Sequence, residues 1–166
     1  MKNKWVMAAG MTIGLMLTGC SETVTETAKE EITNNNSDAL IDYSTKMEGY
    51  MNDFSMTMQE FSDLNMEASQ NPSIMSTNEW ITDVSSTLIS MEEHIADIRA
   101  VTPPDEVEVS HDYVLQAMDS FEYVVNNYPD SLGNSDIMSS CIDALEEGGE
   151  NLDKAKSELD ELTADM

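Results

Sequence analysis

From Asp38 onward, apolar residues recur at a spacing that alternates three and four. Leu40, Tyr43, Met47, Tyr50, Phe54, Phe61 and Leu64 fall in this stripe, with Thr57 in step. Residues three and four apart are neighbours on a helix surface, so the stripe is one apolar helix face. Asn71-Pro72-Ser73 ends the run, since proline cannot continue a helix. Ser76-Thr77-Asn78-Glu79 has the form of a capping box and opens a second stripe: Ile81, Val84, Leu88, Met91, Ile95 and Ile98. Thr102-Pro103-Pro104 stops that helix and starts a third, with Asp105 and Glu106 suited to its N-terminus. The third carries Val107, His111, Val114, Met118, Phe121, Val125 and Tyr128, and Pro129 is expected to end it. Leu132-Gly133-Asn134 reads as a loop with Ser135 as a cap. The fourth helix then carries Met138, Cys141, Leu145, Leu152, Ala155, Leu159 and Leu162, with Gly148 in step. The spacing predicts helices over about residues 38–69, 77–101, 104–128 and 135–164, and no strand-like alternation competes.

Short links between four helices favour antiparallel neighbours, so residues 37–165 are expected to form an all-α, up-down-up-down four-helix bundle. Laid side by side, the first two stripes keep phase from Leu64 beside Ile81 to Met47 beside Ile98. The last two keep phase from Val125 beside Cys141 to Val107 beside Leu159. Between the second and third helices the register does not settle on one value. The expected layers are Phe61, Val84, Phe121 and Leu145, then Phe54, Met91, Val114 and Leu152. Another sets Thr57 and Gly148 against Leu88 and Met118. Gly148-Gly149 in mid-helix costs about 1 kcal/mol per glycine relative to alanine, which points to a close helix approach or a kink.

The N-terminus follows another pattern. Met1-Lys2-Asn3-Lys4 is basic, the 13 residues Trp5 to Leu17 carry no charge, and Leu17-Thr18-Gly19-Cys20 follows. This is the order of a signal peptide, and the apolar run is shorter than the roughly 20 residues of a spanning helix. Leu17-Thr18-Gly19-Cys20 resembles the bacterial lipobox. The resemblance implies removal of residues 1–19, a diacylglycerol thioether on Cys20 and often a fatty acid on the new N-terminus. Two or more acyl chains hold a protein stably to a bilayer. Beyond Cys20, residues 21–36 are polar and rich in Thr, Glu and Asn, with little to bury. They read as a disordered tether with a span of roughly 20–25 Å.

Processing alters the composition. The chain has 33 acidic and seven basic residues, and Lys2 and Lys4 leave with the signal peptide. The mature chain keeps Lys29, Lys46, Arg99, Lys154 and Lys156, for a formal charge of −28. Such a field repels phosphate backbones, so nucleic acid is excluded as a partner, while basic proteins and cations are compatible. With Cys20 lipidated, Cys141 has no partner for a disulfide within the chain, and its stripe position makes it a small buried hydrophobe.

Enzyme signals are sparse. The sequence has no Gly-rich phosphate loop, CxxC, HExxH or GxSxG, and only two histidines. No catalytic residues and no cofactor beyond the lipid are expected. His111 lies in an apolar stripe, level with Tyr50, Ile95 and Ala155, and an imidazole and a tyrosine hydroxyl in one layer can satisfy each other. The competing reading is a zinc-type site of His111 with His94, where Asp112 and Glu108 add oxygens. Of ten mature methionines, Met47, Met91, Met118 and Met138 are accounted for as core. Met51, Met56, Met58 and Met66 lie beside or off the stripe, where they fill core edges, form a partner surface or, least simply, bind Cu(I).

The whole layout also resembles small lipoproteins of Bacillus-like Firmicutes, which pair a lipidated cysteine and polar tether with a helical domain of unknown function. The carrying features are the lipobox, Thr102-Pro103-Pro104-Asp105-Glu106-Val107 with His111 and Tyr113 behind it, and the close from Lys154 to Leu162. The resemblance implies the outer face of a Gram-positive cell membrane and supplies no activity; the marked acidity departs from the more lysine-rich members. The expected function is a non-catalytic protein- or peptide-binding module of the cell envelope. The alternative is a cation-binding or sensing lipoprotein that uses surface carboxylates with His94 and His111, or methionines.

Overall fold

The computed structural model describes residues 30–164, with side chains described over 38–162. The expected signal peptide, Cys20 and residues 21–29 of the tether lie outside the described residues. The described chain is all helical, with four long helices: α1 (Glu30–Gln70), α2 (Asn78–Arg99), α3 (Glu108–Ser131) and α4 (Ser135–Ala164). None is long and apolar enough to cross a membrane.

Helix α1 starts eight residues before the first expected position, so residues 30–36 of the supposed tether are its opening turns. Nothing between Glu30 and Gly49 breaks a helix, and once nucleated a helix extends cheaply even through Asn34-Asn35-Asn36. A 3-10 turn, Pro72–Ser76, leads into α2. The cap of α2 is Thr77 rather than Ser76: its Oγ1 accepts the Trp80 backbone N–H at 3.3 Å.

Past Ala100, which is still helical, the chain is irregular to an extended Pro104, makes one 3-10 turn over Asp105–Val107, and enters α3 four residues later than expected. Pro129 does not end α3, which runs on to Ser131. A proline this close to the C-terminus forfeits only the bond to the Val125 carbonyl, in a turn where the following carbonyls are unpaired in any case. Gly133, at φ 101°, makes the turn. The α4 cap is Asn134, not Ser135: its Oδ1 accepts the N–H groups of Asp136 and Ile137 at 3.1 and 3.3 Å.

The core runs from Tyr43 and Met47 at one end to Ala68, Trp80 and Tyr128 at the other. It departs from the expected stripes at three places. Trp80 is buried while Ile81 is 47% exposed, because the indole Nε1–H reaches the Leu64 carbonyl at 3.1 Å and takes the position under the α1–α2 turn. Val124 is buried and Val125 only half-buried. On α4 the innermost residues are Cys141, Ala144, Gly148, Asn151 and Ala155; Met138, Leu145, Leu152 and Leu159 flank them half-buried, and Leu162 is exposed.

Small residues face inward on α4 because α3 and α4 lie closest of all the helix pairs. Ser110, Ala117 and Ser120 are buried on the α3 side, and Ser110 Oγ donates to the Ala155 carbonyl at 2.8 Å. A β-carbon on Gly148 would fall 2.6 Å from Cε1 of Phe121, so glycine is required by close approach and not by a kink.

The Trp80–Leu64 and Ser110–Ala155 bonds fall within one residue of the expected registers of the sequential helix pairs, but the nearest side chain to Gly148 is Phe121, where the expected layer had Met118. The register between the two pairs differs by a heptad. Phe54 packs on Phe121 with ring centroids 5.0 Å apart, and Phe61 on Tyr128 at 4.8 Å, where Phe54–Val114 and Phe61–Phe121 layers were expected. Seven residues are about 10 Å of helix. A heptad stripe displaced by one heptad superimposes on itself, so its phase is legible and its register is not. The connection from Val101 to Val107, with its 3-10 turn, is the link between the two helix pairs.

Candidate functional site

The buried polar centre lies where α1 and α3 meet the connection after α2. His111 is 2% exposed, and its Nδ1 accepts a hydrogen bond from the Tyr43 hydroxyl at 3.0 Å. The two rings stand edge to face, with centroids 5.7 Å apart. The imidazole also bonds to the backbone of Val101, which favours its protonated form, as does the charge of Asp112. Burial outweighs both and holds the imidazole below its ordinary range. Burial likewise pushes the Tyr43 hydroxyl up to about 12. The pair is therefore neutral and mutually satisfied around neutral pH.

Tyr50, the expected partner of His111, is half-buried and lines a surface groove instead. The heptad displacement brings Tyr43 into its place. Tyr43 stands seven residues earlier in the same stripe, so the sequence signal for a tyrosine–histidine layer was present at both positions.

The structure does not assemble the zinc-type site. His94 is half-buried on α2, and His111 spends its ring nitrogen on Tyr43. Among the described residues no group of three or more His, Cys, Asp and Glu side chains could hold a metal ion. Of the off-stripe methionines, Met56 and Met66 are exposed, while Met51 and Met58 pack at the core edge. Cys141 is buried, and burial raises its thiol above the usual range, so little thiolate forms.

Two open grooves stand out among the described residues. The first, about 510 Å³, runs between α1 and the connection after α2, with Tyr43, Tyr50, Val101, Pro103 and Pro104 as its apolar wall and Lys46 at its edge. The second, about 530 Å³, follows the outer side of the α3–α4 contact. Its floor is Ser120, Ala144 and Asn151, all buried, and its exposed rims carry Asp119, Asp143 and Glu147. Close packing of small residues creates this second groove: the helix axes approach while the longer polar side chains diverge outward. Arg99 of α2 reaches over to ion-pair with Asp119 and Glu122 on α3, which lowers the Glu122 carboxyl below its ordinary range.

Sequence reasoning did not single out Asn151 or Trp80. A polar residue flanked by Glu150 and Leu152 looks like solvent face, and only the rotation of α4 toward its small residues puts Asn151 on the groove floor. Comparison with known proteins finds no matching family model, no matching curated protein and no matching solved structure.

Proposed function

We propose that this chain is a lipid-anchored lipoprotein on the outer face of a Gram-positive cell membrane, serving as a non-catalytic binding module for an envelope protein or peptide. In this reading residues 1–19 are a signal peptide and Cys20 carries the lipid. The four helices form an antiparallel up-down-up-down bundle, consistent with contacts between successive helices and with α1 and α3 numbers rising together through Tyr43–His111, Phe54–Phe121 and Phe61–Tyr128.

The observation that carries the reading is the ordered N-terminal sequence, a basic start, a charge-free run and Leu17-Thr18-Gly19-Cys20, joined to a helical domain. The domain supports it in a second way. Its core is one cluster of packed side chains, and every buried side-chain nitrogen and oxygen among the described residues has a partner. Open grooves on its surface suit recognition of another chain.

The test is fractionation of cells expressing the chain. The wild-type protein is expected in the membrane fraction, and Cys20→Ala in the soluble fraction with unchanged helical circular dichroism. A Cys20→Ala protein that stays firmly on membranes contradicts the anchor. Crosslinking in intact cells should capture the same envelope protein repeatedly; failure to capture any contradicts the binding role.

A further inference from the structure

We propose that Met56, Met66 and Met75 are reversible oxidation sites that consume a small neutral oxidant, hypochlorous acid, before it reaches the sulfur of the core, a role separate from the binding reading. The sulfur atoms of the bundle divide by exposure. Met56, Met66 and Met75 are 55, 49 and 40% exposed. Met51, Met58 and Met138 are half-buried against the core, while Met47, Met91 and Met118 are buried within it. Cys141 is 1% exposed and burial raises its thiol, so the sulfur type most reactive as a thiolate is withheld.

Packing does not explain the exposed methionines. One turn away from Met56 on α1 stand Asn52, Asp53, Gln59 and Glu60, and around Met66 stand Ser62, Asp63, Ser69 and Gln70. Each thioether therefore sits in a polar helix face with no apolar neighbour one turn away. Helix propensity does not call for it either, since leucine, lysine, glutamine and glutamate serve as well. Met75 lies in the 3-10 turn between α1 and α2. What methionine adds at these positions is a sulfur that solvent reaches.

The step is a two-electron oxidation. The thioether gains the oxygen of hypochlorous acid and becomes a sulfoxide. The chlorine takes the two electrons and leaves as chloride, and the proton goes to water. A methionine sulfoxide reductase reverses the change. Two thiols then supply the electrons and become a disulfide, and the oxygen leaves as water. The acidic surface repels anionic oxidants but not this neutral one. At Met56, Met66 and Met75 the new polar oxygen stays in water. At Met51 or Met58 it would lie against the core, where a sulfoxide disrupts packing.

The test is peptide mass spectrometry of the full-length chain after hypochlorous acid at about three molar equivalents, one per exposed site. Sulfoxide at Met56, Met66 and Met75 should exceed that at Met91 and Met118 about tenfold, because susceptibility follows exposure. Methionine sulfoxide reductase with dithiothreitol should remove it. Met56→Leu/Met66→Leu/Met75→Leu should fold normally, because all three side chains lie outside the core. At the same dose this variant should carry about threefold more sulfoxide at Met51 and Met58 than the wild type, and melt at a lower temperature than the treated wild type. Sulfoxide spread evenly over exposed and buried positions overturns the division by exposure. Unchanged sulfoxide at Met51 and Met58 in the variant overturns the protective role. Both readouts use purified protein, so neither depends on the membrane anchor or on a binding partner.

Discussion

Gly148 and Gly149 are adjacent in one helix and should respond in opposite directions to the same substitution. A β-carbon at Gly149 meets nothing within 4 Å, so Gly149→Ala should stabilise the fold by about 0.5–1 kcal/mol through helix propensity and a less disordered unfolded chain. At Gly148 it meets two carbons of the Phe121 ring at 2.6 and 2.7 Å. That ring is held against Phe54 and cannot step aside. Overpacking of this kind costs about 1–3 kcal/mol and outweighs the propensity gain, so Gly148→Ala should lower stability. Urea denaturation of the two variants measures both signs, and a stabilised Gly148→Ala protein would show that α3 and α4 are not as close as the ring contact requires.

At the scale of elements, the informative quantity is the register between helix pairs. A pair of tyrosine substitutions reads it directly. Tyr43→Phe deletes the hydroxyl that satisfies His111 and leaves a buried ring nitrogen without its donor, at a cost of about 1–3 kcal/mol. Tyr50→Phe removes a hydroxyl at a half-buried groove wall and should change stability by less than about 0.5 kcal/mol. Were the stripes aligned as hydrophobic phase alone suggests, the two effects would be reversed. Thermal melts of both variants therefore distinguish two registers one heptad apart. The same level of organisation explains α4: its large leucines outline a good stripe, yet its small residues face the core because α3 comes so close.

For the whole molecule, acidity and the buried histidine act oppositely on pH dependence. Lowering the pH protonates carboxylates and relieves repulsion in a chain of 33 acids. His111 works the other way. Burial holds its folded value below the ordinary 6.5, so the unfolded chain takes up the proton first. The contribution of the neutral imidazole is complete above about pH 6.5 and is lost as pH falls from there through the folded value. The destabilisation caused by His111→Gln, which lacks this titration, should be largest near about pH 8 and narrow by about pH 5.5. Melting both proteins side by side cancels the carboxylate contribution they share. A gap that stays constant over that range contradicts a neutral buried imidazole.

Much of this molecule is legible in one dimension. Helix number, the breaks at Pro72, Pro103 and Gly133, and the burial of Met47, Phe54, Met91, Met118 and Phe121 all follow from local spacing, because each residue's place on its own helix depends only on its neighbours in sequence. The N-terminal pattern ending at Cys20 is equally local, and it is the basis of the proposed anchor. What passes between helices needed the tertiary structure. Which tyrosine meets His111 depends on a translation of about one heptad, why Asn151 is a groove floor depends on a rotation of α4, and Trp80 displaces Ile81 because its indole finds the Leu64 carbonyl on α1. A periodic stripe carries no information about the first, and the second is set by how closely small residues let two helices approach.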